Sequence, residues 1–288
     1  MSGEIKELYG LVFDIKELAV FDGPGIRTTV FMKGCPLRCS WCHNPEGLSF
    51  ENQVQVSAQA CTHCGRCAAV CPSPQACGGC GRCVGACPQR LRRLCGVAYT
   101  PEALARLLLE HKELLEAGGG GVTFSGGEPL CQADFLVAVI DRLQGMHTAV
   151  ETSGCCPSTD FARVIKKLDY VLMDIKLADP AQHRLHTGAD NRLILENLEV
   201  LKASGKPYTV RVPLIPGVTD TVANLDAVAG LLKTAPHLER VELLPYHQTA
   251  GAKYPMVGRA YTPSFDAERP VNADCEPFER RGIRCVVM

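Results

Sequence analysis

The chain has 288 residues, of which 46% are hydrophobic and 21% charged, enough for one large core with a small satellite domain. Its net charge of −1 provides no broad basic field, which argues against a nucleic-acid partner. Residues 1–8 lack the order of a signal peptide and no run approaches the roughly 18 apolar residues of a membrane span, so a cytoplasmic chain with no membrane partner is expected. Seventeen cysteines are the unusual feature, and eleven of them crowd into C-x2-C and C-x3-C patterns between Cys35 and Cys87. That spacing is too tight for pairwise bridging, and a chain with no secretion signal keeps its thiols reduced. Iron–sulfur ligation fits both facts.

In chain order, Leu11 to Ile15 reads as a strand, Asp22-Gly23-Pro24-Gly25 as a turn, and Thr28 to Met32 as the first core strand. The loop that starts at Gly34 carries Cys35, Cys39 and Cys42 in a C-x3-C-x2-C pattern, with Trp41 just before the third. Three thiolates are one fewer than a closed site takes, so this pattern predicts a cluster with one iron left available. A loop that follows a strand is also where parallel α/β sheets place their chemistry.

A polar stretch leads to Cys61, Cys64, Cys67 and Cys71 in the pattern C-x2-C-x2-C-x3-C-P, which recurs with period 16 at Cys77, Cys80, Cys83 and Cys87. This is the run of bacterial two-cluster ferredoxins, in which the fourth cysteine of each run ligates the other cluster. Carried over, one cluster takes Cys61, Cys64, Cys67 and Cys87, and the other Cys77, Cys80, Cys83 and Cys71. Only five residues, Pro72 to Ala76, separate the runs, fewer than ferredoxins generally have. Zinc fits less well, since paired C-x2-C sites need neither the additional cysteines nor the proline. Cys95, Cys131, Cys155, Cys156, Cys275 and Cys285 fit no ligand pattern and read as small buried or incidental residues.

Beyond Arg93 the pattern becomes helical, with Thr100 as N-cap, Pro101 at the first position, and Leu104, Leu107, Leu108, Leu114 and Leu115 as the apolar face. Strands are expected at 122–124, 147–151, 170–175, 208–214 and 241–244, alternating with helices at 133–143, 160–168, 193–203 and 222–232. Such alternation gives a parallel sheet of about six β/α units. Arg211, a guanidinium among β-branched neighbours, requires an anionic partner if it is buried.

Asp22-Gly23-Pro24-Gly25-Ile26-Arg27, the cysteine triplet and Ser125-Gly126-Gly127-Glu128-Pro129 together resemble the radical S-adenosylmethionine (SAM) enzymes. With the ferredoxin run and Leu243-Leu244-Pro245-Tyr246-His247 added, residues 10 to 250 look like the activating enzymes of glycyl radical enzymes. The resemblance implies an α/β fold, a partial (β/α)6 TIM-like barrel from residues 1–49 and 96–288 with an inserted bacterial ferredoxin-like domain at 50–95. It also implies three [4Fe–4S] clusters and SAM as cofactors. SAM would be contacted by Trp41, Cys42, His43, Gly126, Gly127, Glu128, Thr152, Asp174, Lys176 and His247, with Lys176, Arg211 and His247 as the catalytic group.

In such enzymes SAM is cleaved to methionine and a 5′-deoxyadenosyl radical, which takes hydrogen from a backbone glycine of the partner enzyme. Asp22 would touch that protein substrate. A flavodoxin or ferredoxin-type electron donor and a monomeric state are expected as well. Where some relatives carry Asp-Thr, this chain has Glu151-Thr152. The alternatives are radical chemistry on another peptide or small molecule, and a protein whose clusters only carry electrons.

Overall fold

The computed structural model describes residues 7–73 and 77–288. It has an α/β fold built on one nine-stranded sheet. The chain opens with β1 (Gly10–Ala19), which turns back antiparallel into β2 (Arg27–Met32). The insert follows, with β3 (Gln53–Val56), α1 (Arg66–Ala69), α2 (Arg82–Ala86) and β4 (Arg92–Cys95), where β3 and β4 form a separate antiparallel pair. Next come β5 (Val97–Tyr99), which closes on β1, then α3 (Pro101–Leu109), α4 (Lys112–Ala117) and β6 (Gly121–Gly126).

The second half alternates regularly through α5 (Ala133–Ile140), β7 (Thr148–Thr152), α6 (Ser158–Ile165), β8 (Tyr170–Asp174), α7 (Pro180–Thr187) and α8 (Arg192–Ala203). It ends with β9 (Tyr208–Leu214), α9 (Val222–Leu231), β10 (Leu238–Pro245), α10 (Glu276–Glu279) and β11 (Cys285–Val287).

The sheet order is β11-β10-β9-β8-β7-β6-β2-β1-β5, so each parallel strand lies beside the next one in sequence and the order never reverses. Right-handed crossovers in such an order put every helix on one face. Side chains alternate across a strand, and here the two faces differ sharply in chemistry. Val30, Met32, Phe124, Val150, Val171, Val210 and Val241 pack outward against Leu104, Phe135, Leu136, Phe161 and Leu198 of the helices. The other face carries Thr29, Thr123, Glu151, Arg211 and Glu242, all joined by hydrogen bonds to neighbours, with a small apolar patch of Ala149, Tyr170 and Leu172. Polar groups on an enclosed sheet face are costly unless paired, which marks this face as the working one.

Differences from the sequence expectation are local. Thr100 caps α3 as expected, accepting from the Ala103 amide at 3.1 Å, but the long helix breaks at Glu110 and leaves Leu114 exposed. Helix α7 and strand β11 were not expected. The period of 16 reappears as backbone: Gly65 (φ 75°) and Gly81 (φ 72°) both take the left-handed conformation just before α1 and α2, a position that favours glycine. Among the described residues no helix is long and apolar enough to cross a membrane.

Candidate active site

The loop after β2 is held from three sides. Its two ends meet where the Gly34 amide donates to the Gly47 carbonyl at 2.8 Å. The terminal carbonyls of α7 grip its middle, since Arg38 N–H donates to Thr187 at 2.7 Å and Ser40 N–H to His186 at 3.0 Å. These are carbonyls that a helix C-terminus leaves without internal partners. Trp41, buried, packs with Leu177 and Ile215. Behind the loop Lys33 Nζ donates to the Glu46 carbonyl at 2.7 Å, and Lys253 Nζ bridges the Glu46 carboxylate and Asn44 at 2.9 and 3.0 Å.

This anchoring sets Cys35, Cys39 and Cys42 on one wall of a cavity of about 230 Å³ at the carboxyl ends of the parallel strands. The other walls include Trp41, His43, Ser125, Gly126, Gly127, Glu151, Thr152, Ser153, Asp174 and Lys176. Burial pushes all three thiols up, Cys39 to about 12 even with Lys176 pulling it back. The thiolate is the ligating form, so a metal centre bound at this wall would have to displace the thiol protons. Among the described residues no three Cys, His, Asp or Glu side chains converge tightly enough for a single metal ion. A four-iron cluster sets a different condition, because each cysteine binds its own iron and the sulfurs need only surround it.

Gly126 (φ 116°) and Gly127 are required by the protein's own packing. A Cβ on Gly126 would lie 2.4 Å from the Met32 backbone, and one on Gly127 would lie 2.3 Å from the Gly34 carbonyl oxygen. Their bare backbone is thereby left as cavity wall. Glu128, expected beside the cofactor, is instead turned inward and fully buried. It accepts from Thr152 Oγ1 at 2.6 Å, Ser153 Oγ at 2.6 Å, Ser153 N–H at 2.9 Å and Leu130 N–H at 3.3 Å. Burial raises its pKa and these four donors offset part of the rise. Glu128 thus fixes Thr152 and Ser153, which do line the cavity.

Asp174 and Lys176 pair at 2.6 Å at the end of β8, and Asp174 Oδ1, also buried, has no hydrogen-bond partner among the described residues. Burial opposes the charge on Lys176, but Asp174 outweighs it and holds the lysine above its ordinary pKa. Arg211 lies beneath the cavity and not in its wall. Its required anionic partners are Glu151 at 2.6 Å and Glu242 at 2.8 Å, and it also donates to the Phe21 carbonyl. Burial would raise the Glu151 pKa, but Arg211 and Ser125 more than reverse this and it is lowered. Asp22 sits on the same inner face, accepting from Thr29 Oγ1 at 2.6 Å, and its pKa is raised by burial and by Glu151. His247 is exposed and lies outside the cavity wall, near His43.

Ser125, Ser153, Glu46 and Lys253 were missed in the sequence. Ser125 opens the Ser-Gly-Gly-Glu-Pro motif but had been given no role, and Ser153 adjoins Thr152, so both could have been found by proximity; Lys253 and Glu46, 207 positions apart, had no signal. In the insert, Cys61, Cys64, Cys67 and Cys87 line a second cavity, of about 250 Å³. That grouping takes three cysteines from the first run and the last cysteine of the second.

Residues 29–225 match the radical SAM superfamily. The chain belongs to that superfamily. It is 38% identical to the trans-4-hydroxy-L-proline dehydratase activating enzyme of Clostridioides difficile, over 94% of this chain and 95% of that one. It is 37% identical to the isethionate sulfite-lyase activating enzyme of Nitratidesulfovibrio vulgaris, over 87% and 88%. A radical SAM methyltransferase from Sphaerobacter thermophilus shares the fold, with a TM-score of 0.52 at 15% identity over 96% of this chain and 76% of that one.

Within the superfamily the chain is one of the activating enzymes of glycyl radical enzymes, oxidoreductases that use a [4Fe–4S] cluster and SAM to place a radical on a glycine of the partner. The cavity fits those cofactors. It offers three thiols without a fourth, a bare glycine backbone, a buried lysine for a carboxylate and a carboxylate oxygen still lacking a donor.

Proposed function

We propose that the Cys35–Cys39–Cys42 cavity is where SAM is cleaved, and that the reaction's target is a backbone glycine of a partner enzyme brought to the polar inner face of the sheet. The observation that carries this reading is one cavity lined by the cysteine triplet, the Gly126–Gly127 backbone and the Asp174–Lys176 pair, with Asp174 Oδ1 unpartnered among the described residues. Cys35, Cys39 and Cys42 would hold the cluster, which when bound would supply the electron for reductive cleavage of SAM to methionine and a 5′-deoxyadenosyl radical able to take the glycine hydrogen.

The side chains around it bind and orient. Lys176 pairs with the SAM carboxylate, while Asp174 accepts from a ribose hydroxyl or the amino group. Gly126, Gly127 and Thr152, the latter positioned by Glu128, hold the methionine part, and Trp41, Cys42, His43 and His247 the nucleoside side. Arg211 keeps the floor of the cavity in place through Glu151 and Glu242, and Asp22 meets the incoming protein substrate.

The ferredoxin-like reading of residues 50–95 is supported by the Cys61, Cys64, Cys67 and Cys87 cavity, which matches the exchange of fourth ligands in two-cluster ferredoxins. Cys71, Cys77, Cys80 and Cys83 take the second insert cluster, for three [4Fe–4S] clusters in all. The insert receives electrons from a flavodoxin or ferredoxin-type donor. The remaining chain, 1–49 and 96–288, forms a partial (β/α)6 barrel, and the protein acts as a monomer in an anaerobic cytoplasm.

The test mixes the reduced protein, SAM and the glycyl radical enzyme encoded beside it, without oxygen. An electron paramagnetic resonance (EPR) doublet from a glycyl radical and one 5′-deoxyadenosine per radical are expected. Deuterium on the target glycine should appear in the deoxyadenosine. If neither signal nor transfer is found, the glycine target is wrong.

A further inference from the structure

The net charge of −1 conceals an uneven distribution. Residues 50–95 contain five arginines, no lysine and a single acidic residue, Glu51, for a local net charge of +4. Thiolate-ligated clusters are themselves anionic, and some of this positive charge would offset them. Arg92 is placed to do so, since Nη1 lies 3.8 Å from Cys83 Sγ and the side chain is also close to Cys67 and Cys87. Arg66, Arg82, Arg90 and Arg93 are different: all four are exposed, and among the described residues Arg93 alone of them donates to a side chain of the insert, Gln55 Oε1.

The insert has a near end and a far end, fixed by the β3–β4 register. At the near end Gln53 pairs with Cys95; there Lys33 Nζ donates to Gln53 Oε1 at 3.0 Å and the Cys95 thiol reaches the Glu46 carbonyl at 3.6 Å. Lys33 and Glu46 bracket the Cys35–Cys42 loop, so this end abuts the SAM cavity. A Cβ on Gly79 would meet the Asn52 carbonyl at 2.2 Å, which places the turn between Cys77 and Cys80 near this end as well. At the other end Val56 pairs with Arg92, three residues and about 10 Å further along the strand. Val56, Leu91 and Arg92 line the cavity of Cys61, Cys64, Cys67 and Cys87. Arg66 lies between two of these cysteines in sequence, and Arg90 between Gln89 and Leu91 of the same cavity wall.

We propose that the far end of the insert, where exposed Arg66 and Arg90 flank the Cys61–Cys64–Cys67–Cys87 cavity, is the docking face for an acidic one-electron carrier protein. This rests on the ferredoxin-like reading above and adds where the donor binds and what chemistry recognises it. One electron passes to the chain and the carrier is oxidised by one. A carrier docked here stays clear of the SAM cavity, leaving that mouth to the protein substrate. Opposite charges on the two faces steer the encounter, and such steering is strongest at low ionic strength.

The experiment uses anaerobically reconstituted full-length protein, with reduced flavodoxin as the probe and stopped-flow loss of cluster absorbance as the readout. In the double variant Arg66→Glu/Arg90→Glu the rate at low salt should fall about tenfold or more, and the fall of the wild-type rate with added salt should flatten. Reduction by dithionite and the iron content should stay at wild-type values. Lys166→Glu/Lys233→Glu, the same charge change on exposed positions of the helical layer, should leave the flavodoxin rate within about twofold. The assignment is overturned if the arginine variant reduces at the wild-type rate, if the control variant slows equally, or if dithionite reduction falls in step. About four irons per chain would instead reject the ferredoxin-like reading itself.

Discussion

Glu128→Ala separates a residue that holds SAM from one that holds the loop that holds SAM. In the structure the Glu128 carboxylate satisfies the hydroxyls of Thr152 and Ser153 and the Ser153 amide at 2.6 to 2.9 Å, with a weaker fourth bond from Leu130. Truncation orphans three close donors in a fully buried site, each costing about 1–1.5 kcal/mol, for about 3–4.5 kcal/mol in all. Not all of the lost bonding counts, because ionised Glu128 is itself penalised by burial, as its raised pKa indicates. With about 2–4 °C of melting temperature per kcal/mol for a domain of this size, cluster-loaded protein should melt roughly 6–18 °C below wild type. SAM affinity, followed by the change in the cluster's EPR signal, should fall as well, since Thr152 and Ser153 line the cavity. Wild-type melting combined with lost SAM binding would refute the bracing role and return Glu128 to direct contact.

Three other outcomes follow from the same geometry. Lys176→Met keeps the buried volume but leaves Asp174 without its 2.6 Å partner, and SAM should bind at least about tenfold more weakly in EPR titrations with clusters intact; unchanged affinity removes Lys176 from the binding set. Replacing Cys35, Cys39 and Cys42 by Ala should lower the iron content from about twelve to about eight per chain, because the insert ligates separately; a fall to nearly zero would mean that the sites assemble as one. The folded-state pKa of Glu151 lies below its ordinary value of 4.5, so its pairing adds stability above that pH, and this is lost as pH falls through 4.5 toward the lower folded value. Glu151→Gln should therefore melt below wild type at pH 7, and the gap should close on acidification; a constant gap would show that the loss is not electrostatic.

What could be read from the sequence and what could not differ by the range of the interactions involved. The parallel strands were legible because each is a short β-branched run between turns, and β9 was expected at 208–214, where it is found. The cysteine triplet and Gly126-Gly127 were legible because ligand spacing and tight turns are local. Helix α7 was not. Its Pro180-Ala181-Gln182-His183 start carries no apolar periodicity, and only His183 and Thr187 of the helix's polar residues are buried. Yet its last two carbonyls hold the amides of Arg38 and Ser40 and so set the position of Cys39.

The same limit explains Glu128 and Arg211. Gly-Gly-Glu names the segment that faces the cavity, but the carboxylate's direction is decided by donors 24 and 25 residues away on β7 and the loop after it. The sequence requires an anion for Arg211, but its choice of Glu151 and Glu242 depends on strand pairing: β9 lies directly beside β10, while Glu151 reaches across from β7. The motif letters thus locate the wall of the site, and the contacts that rank those residues as ligand, brace or floor arise only when six strands, separated in sequence by the insert and by the helices α3 to α9, close into one sheet. That is why Glu128 and Lys176, indistinguishable as motif residues, make opposite predictions. Loss of Glu128 should act first on stability and through it on SAM, whereas loss of Lys176, whose ammonium faces the cavity, should act first on SAM.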